Sequence, residues 1–499
     1  MRVTPETYPY VLRPFDHQRA ALDDSWGLEQ FAHFLDPGLG KTKITIDTCG
    51  MLHANDKLHN VLIFAPNSVV GPWVEEIEKH WPAKQLGEPH VFRWKGLTTK
   101  TNQREYEEIV APTDLAQFRF FLMNVESQSS QKGRACAEEF LKRVPGRKMI
   151  VVDESSLIKS PKAARSKAIV GLGKLAEYRR ILTGTPVPNS PMDVFAPFCF
   201  LSGSGRMQAG QLGFRTYLAF RSYYAIERQR VLGPRSFKEI VGYQRLDDLN
   251  RRMDPYTLRL TKDECLDLPD KTYVKHEAVL TPDQAKLYAD VSKNLLAEID
   301  GGLIDTSVAL TKLLRLQQII AGHVTSGSPP DEEVHTLDSN RVSVLMEIIA
   351  GLANTEKVVI WSDWRLSLEE IASALRKEYG ADSTATFHGG TSNADRDDIR
   401  ARFQDPKDPL RFFVGNPATA GMGLTLHAAS NMIFFTRSFR MEQRVQAEER
   451  IHRIGQHRPC TYFDIVTPGS VDEHILRALR EKRKLSAKVL GDMLRGEWI

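Results

Sequence analysis

Residues 446–456 read QAEERIHRIGQ. Arg450 and Arg453 stand three apart on an expected helix and so share one face. Planar, permanently charged guanidiniums on one face suit the clamping of phosphate oxygens. Arg437, Arg440, Arg444 and Arg458 lie close by, so a solvated basic face is the competing reading. The embedded HRIGQ, with its glycine helix stop, favours the specific one. Far upstream stand GLGKT at 38–42 and VVDES at 151–155. A phosphate cradle, a metal-binding acid pair and an arginine clamp together predict a nucleotide motor whose two lobes close on one ATP.

Working outward, short apolar runs recur and end at polar or glycine-rich clusters. In the first half these are 31–35, 61–65, 120–125, 149–152 and 180–182. A second series comprises 358–361, 412–414, 432–435 and 462–466. Helical patterns lie between them. Strands alternating with helices predict an α/β fold of parallel sheets covered on both faces. Ligands in such folds bind at the carboxyl ends of strands, where these polar clusters fall.

The series breaks between about 191 and 340, a stretch that reads as helical and aromatic-rich. It holds amphipathic stretches at 281–299 and 307–320, and GSPPDEE at 327–333 reads as an exposed linker. The tail 471–494 reads as an amphipathic basic helix. Its expected buried side is Val471, Ile475, Leu479, Leu485, Val489 and Met493.

A length of 499 residues predicts several domains. The net charge of +4 permits a nucleic-acid partner without demanding one. Five cysteines without a CxxC pair argue against a zinc knuckle or a disulfide framework and favour a reducing compartment. The first ten residues hold no apolar signal core, and no apolar run approaches membrane-spanning length. The expected location is cytoplasmic or nucleoid-associated, with no membrane partner.

Gly38, Leu39, Gly40, Lys41 and Thr42 follow an expected strand and open an expected helix, the context a P-loop requires. Glycines let backbone N–H groups approach phosphate oxygens, and a helix start adds positive potential. Lys41 is expected to reach the β/γ-phosphates and Thr42 to hold Mg2+. Leu35 occupies the first glycine position of the strict pattern, so GLGKT by itself is also readable as an ordinary turn. Asp153 and Glu154 follow the run MIVV. Asp153 is assigned to Mg2+ and Glu154 to the attacking water. In LRPFDHQRAAL the amide of Gln18 suits an adenine edge, with a surface helical glutamine as the bland reading.

Together these motifs resemble a superfamily 2 helicase core, and more closely the Swi/Snf-type ATPases. LRPFDHQ resembles the adenine-recognition motif, GLGKT motif I, APNSVVGPW (65–73) motif Ia, and VVDESS motif II. LTGTPVPNSPMDVF (182–195) resembles motif III. LPDK with LTPDQAKLY (268–271, 280–288) is similar to a Swi/Snf-type signature. FHGGTSNADRDDIRARFQ resembles the motif IV region, AGMGLTLHAAS motif V, and QAEERIHRIGQ motif VI. Thr425 in motif V looks most like the annealing-helicase branch or its small prokaryotic and viral relatives. In motif II, Ser156 stands where histidine is usual, which puts the coupling of ATP state to motif III in doubt.

The resemblance implies two RecA-like parallel-sheet lobes with helical insertions and a C-terminal brace helix. The expected division is a first lobe at 1–200, insertions and linker at 201–335, a second lobe at 336–470 and a basic brace helix at 471–499. It implies a DNA-stimulated ATP hydrolase that translocates on double-stranded DNA, remodelling forks or annealing strands. ATP and Mg2+ are the expected ligands, with Gly423, Arg450 and Arg453 joining the ATP contacts. Candidate contacts to double-stranded or forked DNA, mainly to phosphates, are Asn67, Ser68, Gly184, Thr185, His388, Gly389, Gly390, Thr391, Thr419, Ala420 and Gly421. Each also reads as a loop-capping residue. The alternatives are a strand-separating helicase, for which no wedge hairpin is evident in the sequence, and a nucleotide-gated DNA-binding protein with little turnover. The chain is expected to be close to a minimal engine.

Overall fold

The computed structural model describes residues 2–112, 115, 117–232, 235–300, 306–326, 333–420 and 424–492. Its strands, in chain order, begin with β1 (Gln30–Leu35), β2 (Asn60–Ala65), β3 (His90–Arg93), β4 (Arg119–Asn124), β5 (Lys148–Asp153) and β6 (Tyr178–Leu182). Then come β7 (Ala225–Leu232), β8 (Arg235–Tyr243), β9 (Thr257–Leu260), β10 (Lys271–Glu277), β11 (His323–Ser326) and β12 (Glu333–Thr336). The last five are β13 (Lys357–Trp361), β14 (Thr384–Phe387), β15 (Phe412–Gly415), β16 (Ala429–Phe434) and β17 (Cys460–Val466).

The chain divides into two compact units. The first comprises Met1–Ile226, Val241–Leu266 and Leu485–Met493; the second holds Glu227–Ile240 and Asp267–Lys484. The first unit is built on a seven-stranded sheet in the order β3-β4-β2-β5-β6-β1-β9, with every pairing parallel. Its strands β2 and β5 carry the buried apolar runs VLIFA and MIVV, as strands covered on both faces do. Val61, Ile63, Phe120, Leu122, Met149 and Val151 pack on one side with Ile44, Trp73 and Ile77.

A six-stranded parallel sheet, ordered β10-β17-β16-β13-β15-β14, forms the second unit. Alternate residues along it feed two cores, one around Trp361, Phe413 and Met432, the other around Ile360, Val414 and Ile433. This is the period-2 alternation of strands serving both faces.

The segment 201–335 is not one insertion. Its part Thr257–Leu260 becomes β9 by pairing in parallel with β1, Leu260 level with Leu35, so the first unit extends well past residue 200. Lys271–Glu277 becomes β10 beside β17. β7 and β8 form a two-stranded sheet of their own, a hairpin that the sequence reading did not find. The two amphipathic stretches are helices, Pro282–Asp300 and Thr306–Ile320, while 327–332 of the expected linker lies outside the described residues. The tail is a helix over Val471–Leu490, with Val471, Ile475, Leu479 and Val489 buried as expected and Leu485 half-buried. Met493 and the rest of the expected brace lie outside the described residues. Among the described residues no helix is long and apolar enough to cross a membrane. All five cysteines are free thiols.

Candidate nucleotide site

β5, β6 and β1 are neighbours in the first sheet, and their carboxyl ends carry the residues singled out above. After β1, Gly38 and Gly40 take φ of 92° and 83°, a left-handed region that only glycine enters freely. The helix Lys41–Ala54 follows, with Gly40 as an N-cap that offers no side-chain acceptor and no acid in the first turn. Its first N–H groups therefore meet neither a side-chain cap nor a first-turn carboxylate. Lys41 Nζ donates to the Leu35 carbonyl at 2.7 Å. Burial lowers the Lys41 pKa, and the nearby carboxylates of Glu154, Asp153 and Asp36 oppose that shift.

Asp153 ends β5. Its Oδ2 accepts the indole N–H of Trp73 at 2.8 Å, and its Oδ1 accepts the backbone N–H of Glu154 at 3.0 Å. Burial raises the Asp153 pKa, while the Trp73 hydrogen bond and the Lys41 charge pull it down. Glu154 adopts φ 49° and ψ 60°. A non-glycine residue held left-handed costs about 1–3 kcal/mol and concentrates at functional sites. That turn leaves the Glu154 carboxylate to accept from Thr183 Oγ1 at 3.3 Å. Thr183 in turn accepts the N–H of Thr185 at 3.1 Å. The loop after β6 is thus bonded directly to Glu154, two residues before Ser156. Ser156 itself is buried in the 3-10 turn Ser155–Ile158.

Gln18 is not a surface glutamine. Only 4% exposed, it donates through Nε2 to the Leu39 carbonyl at 3.3 Å and accepts the Phe15 N–H at 3.1 Å. It braces the phosphate loop, which leaves one N–H and one lone pair of its amide for a further partner.

In the second unit the helix Met441–Glu448 stops before Arg450, so Arg450 and Arg453 do not share a helical face. What unites them is an acceptor. Arg450 Nη1 donates to the Leu424 carbonyl at 3.1 Å and Arg453 Nη1 to the same oxygen at 3.4 Å. The Leu426 N–H answers onto the Arg450 carbonyl at 2.9 Å. Gln456 organises the chain beyond the helix. Its buried amide donates to the carbonyls of His427, Ala429 and Ile451 and accepts the N–H groups of His457 and Arg458, holding the chain in turns. The supposed basic face also divides. Arg444 is buried, with a bidentate pair to Asp464 at 2.6 and 2.9 Å and a bond to Glu448 at 2.6 Å. Arg437 is buried beside the same Asp464.

Of the candidate DNA contacts, Asn67, Gly389 and Gly390 are exposed, whereas Ser68, His388, Thr391 and Thr419 are half-buried. Gly184 and Thr185 are buried, and a Cβ on Gly184 would stand 2.7 Å from Pro37, so that glycine serves loop packing. The buried hydroxyls of Ser68 and Thr185 make no hydrogen bond among the described residues. His388 and Thr391 close their own turn, the His388 N–H donating to Thr391 Oγ1 at 3.0 Å. Ala420 ends the short helix Pro417–Ala420, and Gly421 and Gly423 lie outside the described residues.

Trp73, Thr183 and Gln456 were quoted within motifs but given no role by the sequence reading. A buried tryptophan needs a partner for its N–H, and that requirement is the signal by which the sequence could have revealed Trp73.

Residues 33–323, more than half of the chain, match the SNF2-related domain. The chain belongs to the SNF2-related family. Residues 340–455 match the helicase conserved C-terminal domain. This SNF2-related chain is 26% identical to the DNA repair and recombination protein RDH54 of Saccharomyces cerevisiae, over 87% of its own length and 46% of that protein. It is 26% identical to the putative ATP-dependent helicase/translocase YwqA of Bacillus subtilis, over 91% of its length and 46% of YwqA. The chain thus spans about half the length of these curated relatives. Among solved structures, the Sulfolobus solfataricus SWI2/SNF2 ATPase core in complex with dsDNA is 25% identical, covering 98% of this chain and 95% of that one, with a TM-score of 0.42.

Proposed function

We propose that this SNF2-related chain is a DNA-stimulated ATP hydrolase that translocates on double-stranded DNA. One observation carries the reading: three adjacent strand ends place Lys41, Asp153, Glu154 and Thr183 around an uncapped helix start. Lys41 and the N–H groups of 38–42 bind the phosphates, and Gln18 borders the adenine. Thr42 and Asp153 offer the hard oxygens that Mg2+ takes. A carboxylate whose pKa burial raises is one that a divalent cation returns to its ionised form. Such an ion supplies neutralisation of charge on the transferred phosphoryl group. Glu154 orients the attacking water and receives its proton. Arg450 and Arg453 stabilise charge that develops in the transition state.

The names of RDH54 and YwqA support DNA repair and translocation as the setting. Contact through the exposed loop groups of Asn67, Gly389 and Gly390 and the half-buried Thr391 is non-specific, so binding weakens steeply with salt. A second reading, strand separation, gains support from the β7–β8 hairpin.

The test is the ATPase rate with duplex, forked and single-stranded DNA and with RNA, alongside strand displacement. Duplex or forked DNA should stimulate most, and Glu154→Gln should bind ATP without turnover. Stimulation by RNA alone, or normal turnover by Glu154→Gln, overturns the proposal. Displacement of a paired strand favours the second reading.

A further inference from the structure

Asp36 is the first residue past β1, and it is bonded through its N–H, its carbonyl and its carboxylate. The N–H donates to the Leu260 carbonyl at 3.1 Å, and the carbonyl accepts the Leu39 N–H at 3.3 Å, which begins the glycine loop. Arg259 Nη1 donates to carboxylate Oδ1 at 2.9 Å, and the Lys262 backbone N–H donates to Oδ2 at 3.1 Å. The same Nη1 donates to the Phe34 carbonyl of β1 at 2.9 Å. One guanidinium nitrogen thus ties the end of β1 to the first residue of the loop.

Asp492 takes the other edge of that guanidinium. Arg259 Nε donates to its Oδ1 at 3.1 Å and Nη2 to its Oδ2 at 2.9 Å, a fork that a lysine cannot make. A helix end brings Asp492 there. The helix Val471–Leu490 stops at Gly491, which has φ of 73°, and the Asp492 N–H closes the last turn onto the Ala487 carbonyl at 3.0 Å. Asp36, Arg259 and Asp492 all belong to the first unit.

Lys41 rests against the same corner. Its Nζ donates to the Leu35 carbonyl at 2.7 Å and to the Asp36 carbonyl at 3.5 Å. The Asp36 carboxylate favours the Lys41 charge, and Arg259 opposes it. With the guanidinium gone, a partly buried carboxylate would lack its counter-charge beside the ammonium expected to reach phosphate. It would then compete with phosphate for Lys41.

We propose that Arg259 is a positioning residue of the nucleotide site, which pairs Asp36 and so keeps Lys41 free for the phosphate chain of a nucleoside triphosphate, and that Asp492 holds Arg259 in place. The proposal rests on the ATP reading above. It gives β9 a functional reason to join the first sheet beside β1.

The experiment uses the full chain with Arg259→Gln, with Asp492→Asn, and with Arg259→Gln combined with Asp36→Asn. ATP and adenosine are titrated, KM and kcat are measured, and thermal unfolding is followed. Arg259→Gln should weaken ATP binding by about tenfold, the worth of one hydrogen bond to a charged group. Adenosine affinity should stay near wild type. Asp492→Asn, the milder change, should weaken ATP binding by about threefold and serves if the glutamine variant does not fold. Adding Asp36→Asn to Arg259→Gln should recover most of the ATP affinity, because the carboxylate that competes for Lys41 is gone. A purely structural role predicts losses shared by ATP and adenosine and no such recovery. Unchanged ATP affinity in a folded Arg259→Gln or Asp492→Asn variant, equal losses for ATP and adenosine, or no recovery in the double variant overturns the proposal. Wild-type protein that fails to bind ATP removes the ATP reading itself, a result distinct from these.

Discussion

The indole N–H of Trp73 donates to Asp153 Oδ2 at 2.8 Å, across 80 residues of sequence. The helix Val70–His80 and the end of β5 are thereby locked together at the carboxylate assigned to the metal. Trp73→Phe keeps the ring packing and removes the donor. Loss of such a supporting bond to a ligand should cost about 10–100-fold in metal affinity or turnover. ATPase rates titrated against Mg2+ should show a higher metal requirement. An unchanged requirement removes Trp73 from the site.

Thr183 carries two roles on one hydroxyl, donating to Glu154 and accepting from Thr185. Thr183→Val should lower kcat by roughly threefold to tenfold, the net worth of about one hydrogen bond, while Thr183→Ser should retain the wild-type rate. DNA stimulation should fall with kcat in the valine variant, because the loop after β6 loses its bond to Glu154. Equal rates for valine and serine would show that the hydroxyl is idle.

Gly40 has a left-handed backbone, and a Cβ there would stand 2.2 Å from Gln18 Nε2. Gly40→Ala should abolish ATP binding and lower stability by about 1–2 kcal/mol from backbone strain alone. Adding Gln18→Ala removes the clash and leaves the strain. Partial recovery of the melting temperature in the double variant separates the two causes.

Arg450 is buried and bonded to the carbonyls of Gln446 and Leu424, while Arg453 is half-buried with a longer bond to Leu424. Arg450→Ala should therefore destabilise the second unit as well as slow turnover. Arg453→Ala should leave the melting temperature near wild type and lower kcat by a factor on the order of 10³–10⁵, with ATP affinity kept, as expected of an arginine finger. Loss of affinity alone would make Arg453 a ground-state clamp.

His33, fully buried on β1, bonds through Nε2 to Ser25 Oγ at 3.0 Å, and burial lowers its pKa to about 3. The unfolded chain takes up that proton first, near the ordinary imidazole value of 6.5. Its contribution to stability is thus complete above that pH and is lost as pH falls towards 3, at about 1.4 kcal/mol per pH unit. His33→Leu should flatten this acid slope in denaturant titrations. Asp363 in the second unit has the opposite sign. Burial raises its pKa to about 6, so its contribution is fullest at acid pH and is lost as pH rises through that value. Asp363→Asn should make the second unit more stable at pH 8.

The inner strands of both sheets were legible because burial on two faces demands continuous apolar runs such as VLIFA and MIVV. The four strands that the sequence reading missed in the two large sheets, β3, β9, β10 and β14, are their edges. Edge strands pair on one side only and are partly exposed, so TLRL and KTYVKHE carry no such run.

By itself the sequence determined the parallel α/β class and the family, and it marked the glycine loop and the acid pair as candidates, because each is written in short contiguous stretches whose chemistry is local. Only the tertiary structure decided which groups hold those residues in place. Trp73 on Asp153, Thr183 on Glu154, Arg259 on Asp36 and Gln456 on three carbonyls are bonds closed by the folding of distant segments. Spacing along a chain cannot encode which buried donor meets which buried acceptor; strand order and packing choose the partner, and the cost of leaving either one unsatisfied then fixes the pair.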